Sequence, residues 1–391
     1  MISQRQLFLQ HVAQTSTAPL ALEMVAAEGC TLTDASGKQY IDLIGGISVA
    51  NVGHRHPKVV TAIKDQVDQY LHVMVYGEFV QSPQVQYARL LAENLPPSLS
   101  SVYFTNSGAE AVEGAMKLAK RATGRTVIAA FNNSYHGSTQ GALSILGSEY
   151  WRNAYRPLLP GIDHLTYNSF EDLERITDQT ACVIAETVQA EGGIRPPQKE
   201  WLQALQARCR ETGALFILDE IQAGFGRTGK LWGFEHFDVV PDILLLGKAL
   251  GGGMPLGAFI AGLDLMNHLT DNPVLGHITT FGGHPVCCAA GKAALQTLLD
   301  ENLAEGVANK EALFKSLLVH PSIKAVHSFG LWMGVEFDSF ETCKAIIDRC
   351  IEKGVVTDWF LFAANCLRIS PPLTISEEEI RKACEIIVSS I

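Results

Sequence analysis

Residues 242–259 read DILLLGKALGGGMPLGAF. Four aliphatic side chains, Ile243 to Leu246, precede Gly247 and Lys248, and three glycines (Gly251 to Gly253) lead into a second apolar run. A short apolar stretch bounded by turn residues predicts a buried strand, and the glycines predict a tight turn into another strand. Lys248 is thereby carried to a strand end in close-packed apolar surroundings. Burial disfavours the ammonium form, so the pKa falls and a nucleophilic amine is left. On this stretch alone, a lysine snorkelling from a strand end to water is the competing reading.

Similar runs recur upstream. SSVYFT (100–105), TVIAAF (126–131), ACVIAET (181–187) and ALFILDE (214–220) predict strands, as does LGAFIAG (256–262) downstream. Helical patterns separate several of them, notably AEAVEGAMKLAKRAT (109–123) and PQKEWLQALQARCRETG (197–213). Strands that read as continuous apolar runs and alternate with helices predict an α/β fold, a mostly parallel sheet covered on both faces. This large domain is placed at 46–284. Ahead of it, a short helix is expected before Pro19, a hairpin turn at Asp34–Gly37, and helices from Pro57 and over Pro83–Asn94. After Pro285 the pattern becomes two helices, strands KAVHSFG and WMGVEFD, a helix, strands VVTDWF and CLRIS, and a last helix. Residues 285–391 are therefore expected to form a smaller α+β domain, with segment 1–45 packing against it.

At 391 residues the chain can hold about two domains. A net charge of −11, spread thinly, argues against a nucleic-acid partner. The nine cysteines contain no C-x-x-C pair, which predicts reduced, buried thiols and a cytoplasmic protein. His54 and His56 form H-x-H beside Pro57 with no accompanying ligand cluster, so no metal site is expected. The N-terminus lacks a signal-peptide pattern, and no window is apolar enough for a membrane helix.

Six stretches carry chemistry. In TNSGAEAVEGAMKLA (105–119) a strand runs into a helix start at Ser107, Gly108 and Ala109, where free N–H groups and the helix dipole favour an anion. A plain N-cap, with Glu110 as capping-box partner, is the alternative. In FNNSYHGST (131–139) Tyr135 and His136 follow a strand, and the tyrosine ring could stack on a flat ligand. AETVQAEGGIRPP (185–197) offers Glu186 and Glu191. ALFILDEIQAGFGRTG (214–229) carries Asp219 to the carboxyl end of a buried strand, where open α/β sheets bind ligands, with Gln222 close behind. Its GFGRTG matches G-x-G-x-x-G, but KLWGFEHFDVVPD follows where a helix should, so a dinucleotide loop is not expected. HITTFGGHP (277–285) presents Thr279 and Thr280 as further donors. NCLRISPPL (365–373) presents Arg368, a fork suited to a carboxylate. A phosphate site, a flat ring, a strand-end carboxylate and a buried lysine together specify pyridoxal phosphate.

The chain resembles the class III aminotransferases, the fold-type I pyridoxal-phosphate group that includes ornithine, acetylornithine and 4-aminobutyrate aminotransferases. The resemblance runs from NVGHRHP (51–57) to LRISPPL, and its most specific part is LDEIQAGFGRTG followed by GKALGGGMPLGA, with Asp219 and Lys248 29 positions apart. It implies Lys248 as the Schiff-base lysine and Asp219 as partner of the pyridine nitrogen. Gln222 is implied near the ring hydroxyl, Ser107, Gly108 and Ala109 at the phosphate, Tyr135 on the ring with His136 beside it, and Glu186 near the cofactor. Thr280, next to Thr279, is implied at the phosphate of a partner subunit, hence a homodimer with shared sites. Arg368 is implied as ligand of a substrate carboxylate, neutralised by Glu191 when an amine is bound. The implied activity moves an amino group from an ω-amino acid or terminal amine to 2-oxoglutarate or pyruvate, ping-pong, through pyridoxamine phosphate. Another pyridoxal-phosphate reaction on the same scaffold (racemase, aminomutase or decarboxylase) is the alternative. Several ω-aminotransferases of the family carry arginine after aromatic-His-Gly. This chain has Ser138, which leaves the amino donor open, with Arg152, Arg156 or the N-terminal segment as candidate substitutes.

Overall fold

A computed structural model describes residues 2–391. Strands β1 (Met24–Glu28), β2 (Thr31–Asp34) and β3 (Gln39–Asp42) form an antiparallel meander near the N-terminus. The turn between β2 and β3 is built by Asp34, whose Oδ1 accepts from the N–H groups of Ser36 and Lys38, and by Gly37 at φ +86°. The expected N-terminal helix covers only Gln4–His11.

Seven strands make the central sheet: β4 (Ser101–Thr105), β5 (Val127–Phe131), β6 (Ile162–Leu165), β7 (Thr180–Glu186), β8 (Leu215–Asp219), β9 (Ile243–Leu246) and β10 (Gly257–Ala261). Their order is β4-β10-β9-β8-β7-β5-β6, and only β10 runs antiparallel to its neighbours. The apolar runs are explained by burial on both faces. Ile184, Ile217, Ile243 and Leu245 pack with Ala111, Val112 and Ala115 of helix Gly108–Thr123. Val183, Leu218, Leu244 and Leu246 join the opposite core, with Trp201 and Leu205 of helix Lys199–Thr212. β6 went unseen in the sequence because IDHL is half polar, as an edge strand can be.

The remaining strands are β11 (Ala325–Ser328), β12 (Met333–Glu336), β13 (Val355–Val356), β14 (Trp359–Phe360) and β15 (Ala363–Ile369). The run VVTDWF is two strands and not one. β13 pairs parallel with β3 and closes the N-terminal sheet, whereas β14 pairs with β15 in the sheet β11-β12-β15-β14. The chain crosses between sheets at Thr357 and Asp358. There Thr357 Oγ1 donates to the Arg368 carbonyl at 2.6 Å, and the Arg368 N–H donates to the Asp358 carbonyl at 2.8 Å.

Helix Pro285–Asp300 packs against helices Pro57–Gln69 and Ser82–Glu93 and against the turn after Lys248. That contact demands small residues: a Cβ on Gly291 would lie 2.2 Å from the Leu250 carbonyl oxygen. The Tyr87 hydroxyl donates to the same carbonyl at 2.6 Å. Among the described residues no helix is long and apolar enough to cross a membrane, and no group of three or more metal-ligating side chains exists. His54 instead pairs with Asp42 at 2.7 Å, and all nine cysteines are buried and unpaired.

Candidate active site

The parallel sheet brings the carboxyl ends of β4, β5, β7, β8 and β9 to one edge, with Glu186 beside Asp219 and Asp219 beside Leu245 in register. A cavity of about 270 Å³ opens there, lined by Gly108, Ala109, Tyr135, His136, Glu186, Asp219, Gln222 and Lys248 among others. A second of about 530 Å³ is lined by Gly46, Ile47, Glu191, Asp358, Trp359, Leu361 and Arg368. The two share Tyr135, Gln222 and Lys248.

Lys248 follows Gly247 and holds φ +48°, a left-handed conformation uncommon for a side-chain-bearing residue. Gly247 lets this turn seat on the helix start, since a Cβ there would come within 3.3 Å of the Gly108 Cα. Among the described residues the Lys248 ammonium makes no hydrogen bond or ion pair. Burial draws its pKa below the ordinary lysine value, against the pull of Asp219 and Glu191.

Asp219 is fully engaged on the sheet side. Oδ2 accepts from His136 Nδ1 at 2.7 Å, and Oδ1 accepts from the Ile221 N–H at 2.9 Å. Burial alone would lower the His136 pKa; the Asp219 hydrogen bond and charge, helped by Glu186, raise it on balance. Glu186 accepts from the N–H groups of Tyr135 and Ala190, both at 2.9 Å. Its burial nonetheless pushes the carboxyl up to about 7.

That shift carries a stability consequence. The folded apoprotein holds the Glu186 proton more tightly than the unfolded chain, so this group's contribution is present below about pH 4.5 and is lost as pH rises through about 7. The loss is on the order of 3 kcal/mol. Glu186→Gln should flatten the decline between these values in urea unfolding of the apoprotein. It should not abolish it, because Glu220 is also pushed up to about 7 by burial. An unaltered slope would contradict the assignment.

At the helix start, Ser107 Oγ accepts from the Glu110 N–H at 3.2 Å. The Glu110 carboxylate turns back to the N–H of Asn106 at 2.7 Å and not to that of Ser107, so the capping box offered as the alternative reading is displaced by one residue. The N–H groups of Gly108 and Ala109 have no intrahelical acceptor and border the cavity. Gly137, at φ +126°, keeps this corner open, because a Cβ there would lie 2.6 Å from the Ala109 Cβ.

Arg368 and Glu191 form a buried two-pronged pair, Nη1–Oε1 at 3.0 Å and Nη2–Oε2 at 2.9 Å. Burial would raise the Glu191 pKa, but the arginine holds it below the ordinary carboxylate value. Gln222 lies 3.5 Å from Glu191 through Nε2. Thr279 and Thr280 line neither cavity of their own chain. Thr279 Oγ1 accepts from Asn106 Nδ2 at 2.9 Å, and Thr280 is exposed. Arg152 and Arg156 also stay outside both cavities and pair with Glu149. GFGRTG is a turn whose fully buried Arg227 donates to the carbonyls of Leu331 and Pro371 and to Asn51, a structural strut.

Asp358, Trp359, Gly46 and Ile47 are parts of the site that sequence reasoning missed. Asp358 was hidden inside an apparent strand. Gly45 to Ser48 all hold positive φ, for which the pair Gly45–Gly46 in IDLIGGIS was the available signal.

The fold is that of the fold-type I pyridoxal-phosphate enzymes: the ornithine aminotransferase of Toxoplasma gondii superimposes with a TM-score of 0.91 at 31% identity, covering 98% of this chain and 93% of that one. The class-III aminotransferase family model matches residues 12–391. An acetylornithine aminotransferase of Methanopyrus kandleri is 41% identical over 378 residues, 95% of this chain and 94% of that protein. One from Archaeoglobus fulgidus is 35% identical over 382 residues, 97% and 98% of the two chains. The chain belongs to the class-III aminotransferases, which transfer amino groups with pyridoxal phosphate as cofactor. Another structure of the Toxoplasma enzyme is described with partial occupancy of pyridoxal phosphate at the active site.

The cavity beside Lys248 fits that cofactor on its own terms. His136 Nε2 and Gln222 Oε1 are buried without partners, a cost normally removed by a ligand or water. Unpaired helix N–H groups suit a phosphate, and an anionic strand-end carboxylate suits a protonated ring nitrogen.

Proposed function

We propose that this enzyme takes the amino group of an ω-amino acid or terminal amine, of the acetylornithine, ornithine or 4-aminobutyrate type, and passes it to 2-oxoglutarate or pyruvate in two half-reactions that alternate in one site. The observation that carries the reading is the meeting of two cavities at Lys248, one with the cofactor-type groups and one with the Arg368–Glu191 pair. When bound, pyridoxal phosphate supplies an electron sink for the carbon that loses its proton.

The chain's residues then have these parts. Lys248 holds the cofactor covalently and, once released, carries the proton, for which its lowered pKa suits it. Asp219 keeps the ring nitrogen protonated, with His136 positioning it and Glu186 behind. Ser107, Gly108 and Ala109 hold the phosphate, Tyr135 stacks on the ring, and Gln222 approaches its hydroxyl. Arg368 binds the carboxylate of the oxo acid, and Glu191 takes that place while an amine is bound. Thr279 and Thr280 serve the phosphate of a second subunit, so the working unit is a homodimer. Support for this lies in their absence from the two cavities beside Lys248 of their own chain and in exposed apolar neighbours Val274, Ile278 and Phe281. The same reading divides the chain near residues 45 and 284 and locates it in the cytoplasm, where unpaired thiols persist.

The test is a panel of amino donors with 2-oxoglutarate and with pyruvate, run on the wild type and on Arg368→Ala. Losing a charge-assisted two-pronged contact should raise the KM for 2-oxoglutarate by about 100-fold, with a much smaller effect on the donor. Equal losses in both half-reactions would contradict the role given to Arg368.

A further inference from the structure

Arg368 is held by more than Glu191. Its Nε lies 2.9 Å from Asp358 Oδ1, close enough for an ion pair though not aligned as a hydrogen bond. Nη2 also donates to the Trp359 carbonyl at 3.1 Å, and the guanidinium lies over the Phe360 ring at 4.4 Å. The two edges of the fork therefore meet different kinds of partner. The Nη edge faces a carboxylate from the loop after β7, on another part of the chain. The Nε edge faces Asp358, on the segment leading into β14, whose backbone is tied to Arg368 itself by the bond from the Arg368 N–H to the Asp358 carbonyl. Asp358 also lines the cavity that holds Arg368.

We propose that Asp358 is a positioning residue that fixes Arg368 through Nε, so that the Nη edge can exchange Glu191 for a substrate carboxylate without the arginine moving. The inference rests on the reading of Arg368 as carboxylate ligand. Its physical basis is a division of labour. A buried arginine released by Glu191 would, without a second anion, lose its charge partner and much of its fixed geometry just as substrate arrives. A carboxylate on the far edge keeps the charge compensated in both halves of the cycle and leaves the planar fork aimed at the incoming anion. Burial pushes the Asp358 carboxyl up to about 6, against the lowering effect of Arg368, so it is anionic at neutral pH, when the exchange needs it. The tether through neighbouring backbone explains why this acid cannot itself be the one that swings away.

The experiment measures binding of glutarate, an unreactive dicarboxylate, to the holoenzyme by calorimetry. It adds the KM values of the two half-reactions for wild type, Asp358→Asn, Asp358→Ala and Arg368→Ala. Asp358→Ala should weaken glutarate about tenfold and raise the KM for 2-oxoglutarate to a similar degree. The KM for the amino donor should change several-fold less. Asp358→Asn, which keeps the shape but not the charge, should fall between Asp358→Ala and wild type. Unchanged glutarate affinity in Asp358→Ala, or equal losses in both half-reactions while Arg368→Ala remains selective for the oxo acid, would overturn the role of Asp358. Unselective loss in Arg368→Ala would instead remove the carboxylate reading on which it stands.

Discussion

Lys248→Ala is expected to lower turnover by at least about four orders of magnitude and to remove the covalent link to the cofactor. The expectation follows from position. Lys248 is itself left-handed just beyond the end of β9, pinned by Gly247 against Gly108 and by Tyr87 on the following turn. It is shared by both cavities, and no other lysine lines either. A water could replace the proton carrier only weakly, because the neighbouring groups are already committed: Asp219 to His136 and Ile221, Glu191 to Arg368. The variant should still take up pyridoxal phosphate non-covalently, since the helix start, Asp219 and Tyr135 remain. The check is reduction with borohydride followed by mass measurement, beside a turnover assay. A covalent adduct at another lysine with retained activity would contradict the assignment.

Asp219→Asn should leave the cofactor bound and slow proton transfer by about a thousandfold. Two opposite unit charges about 4 Å apart, at an effective dielectric near 20, interact by about 4 kcal/mol, which corresponds to that factor. The amide retains the size and one acceptor oxygen, so it can still receive the Ile221 N–H or the His136 Nδ1–H. The fold around it should therefore persist. What it cannot supply is the negative charge that favours a protonated ring nitrogen. His136, buried with Nδ1 on the carboxylate, also loses the partner that raises its pKa. A substrate deuterated at the reacting carbon separates these effects: a large isotope effect on single-turnover rate is expected in the variant, marking proton transfer as the slow step. A rate near that of the wild type would mean that the charge is maintained by another group.

Much of this site was legible because its carriers sit on strands buried on both faces. ILLL before Lys248 and LFIL before Asp219 announce their strands, and a residue at the carboxyl end of such a strand has few places to go. The glycine at 108 and the serine before it likewise mark a helix start. Interactions between distant positions were not legible. The His136–Asp219 bond spans 83 residues and the Arg368–Glu191 pair 177, and no local pattern encodes either. Asp358 was concealed for a different reason. VVTDWF has the composition of one strand, and its division between two sheets depends on β3 and β15, which lie elsewhere in the chain. The chemical meaning of GFGRTG was similarly settled by tertiary partners, the carbonyls that Arg227 reaches.

In the proposed cycle one site, joined at Lys248, removes an amino group from a donor and later gives it to an oxo acid. It is tested most directly by mixing holoenzyme with a slight excess of ornithine or acetylornithine, without oxo acid, and following the cofactor's visible absorbance. The expected result is a single-turnover loss of that band, one equivalent of donor deaminated per site, and recovery of the band when 2-oxoglutarate is added. Continued consumption of donor without any oxo acid, with the band unchanged, would contradict it and point to a racemase, aminomutase or decarboxylase.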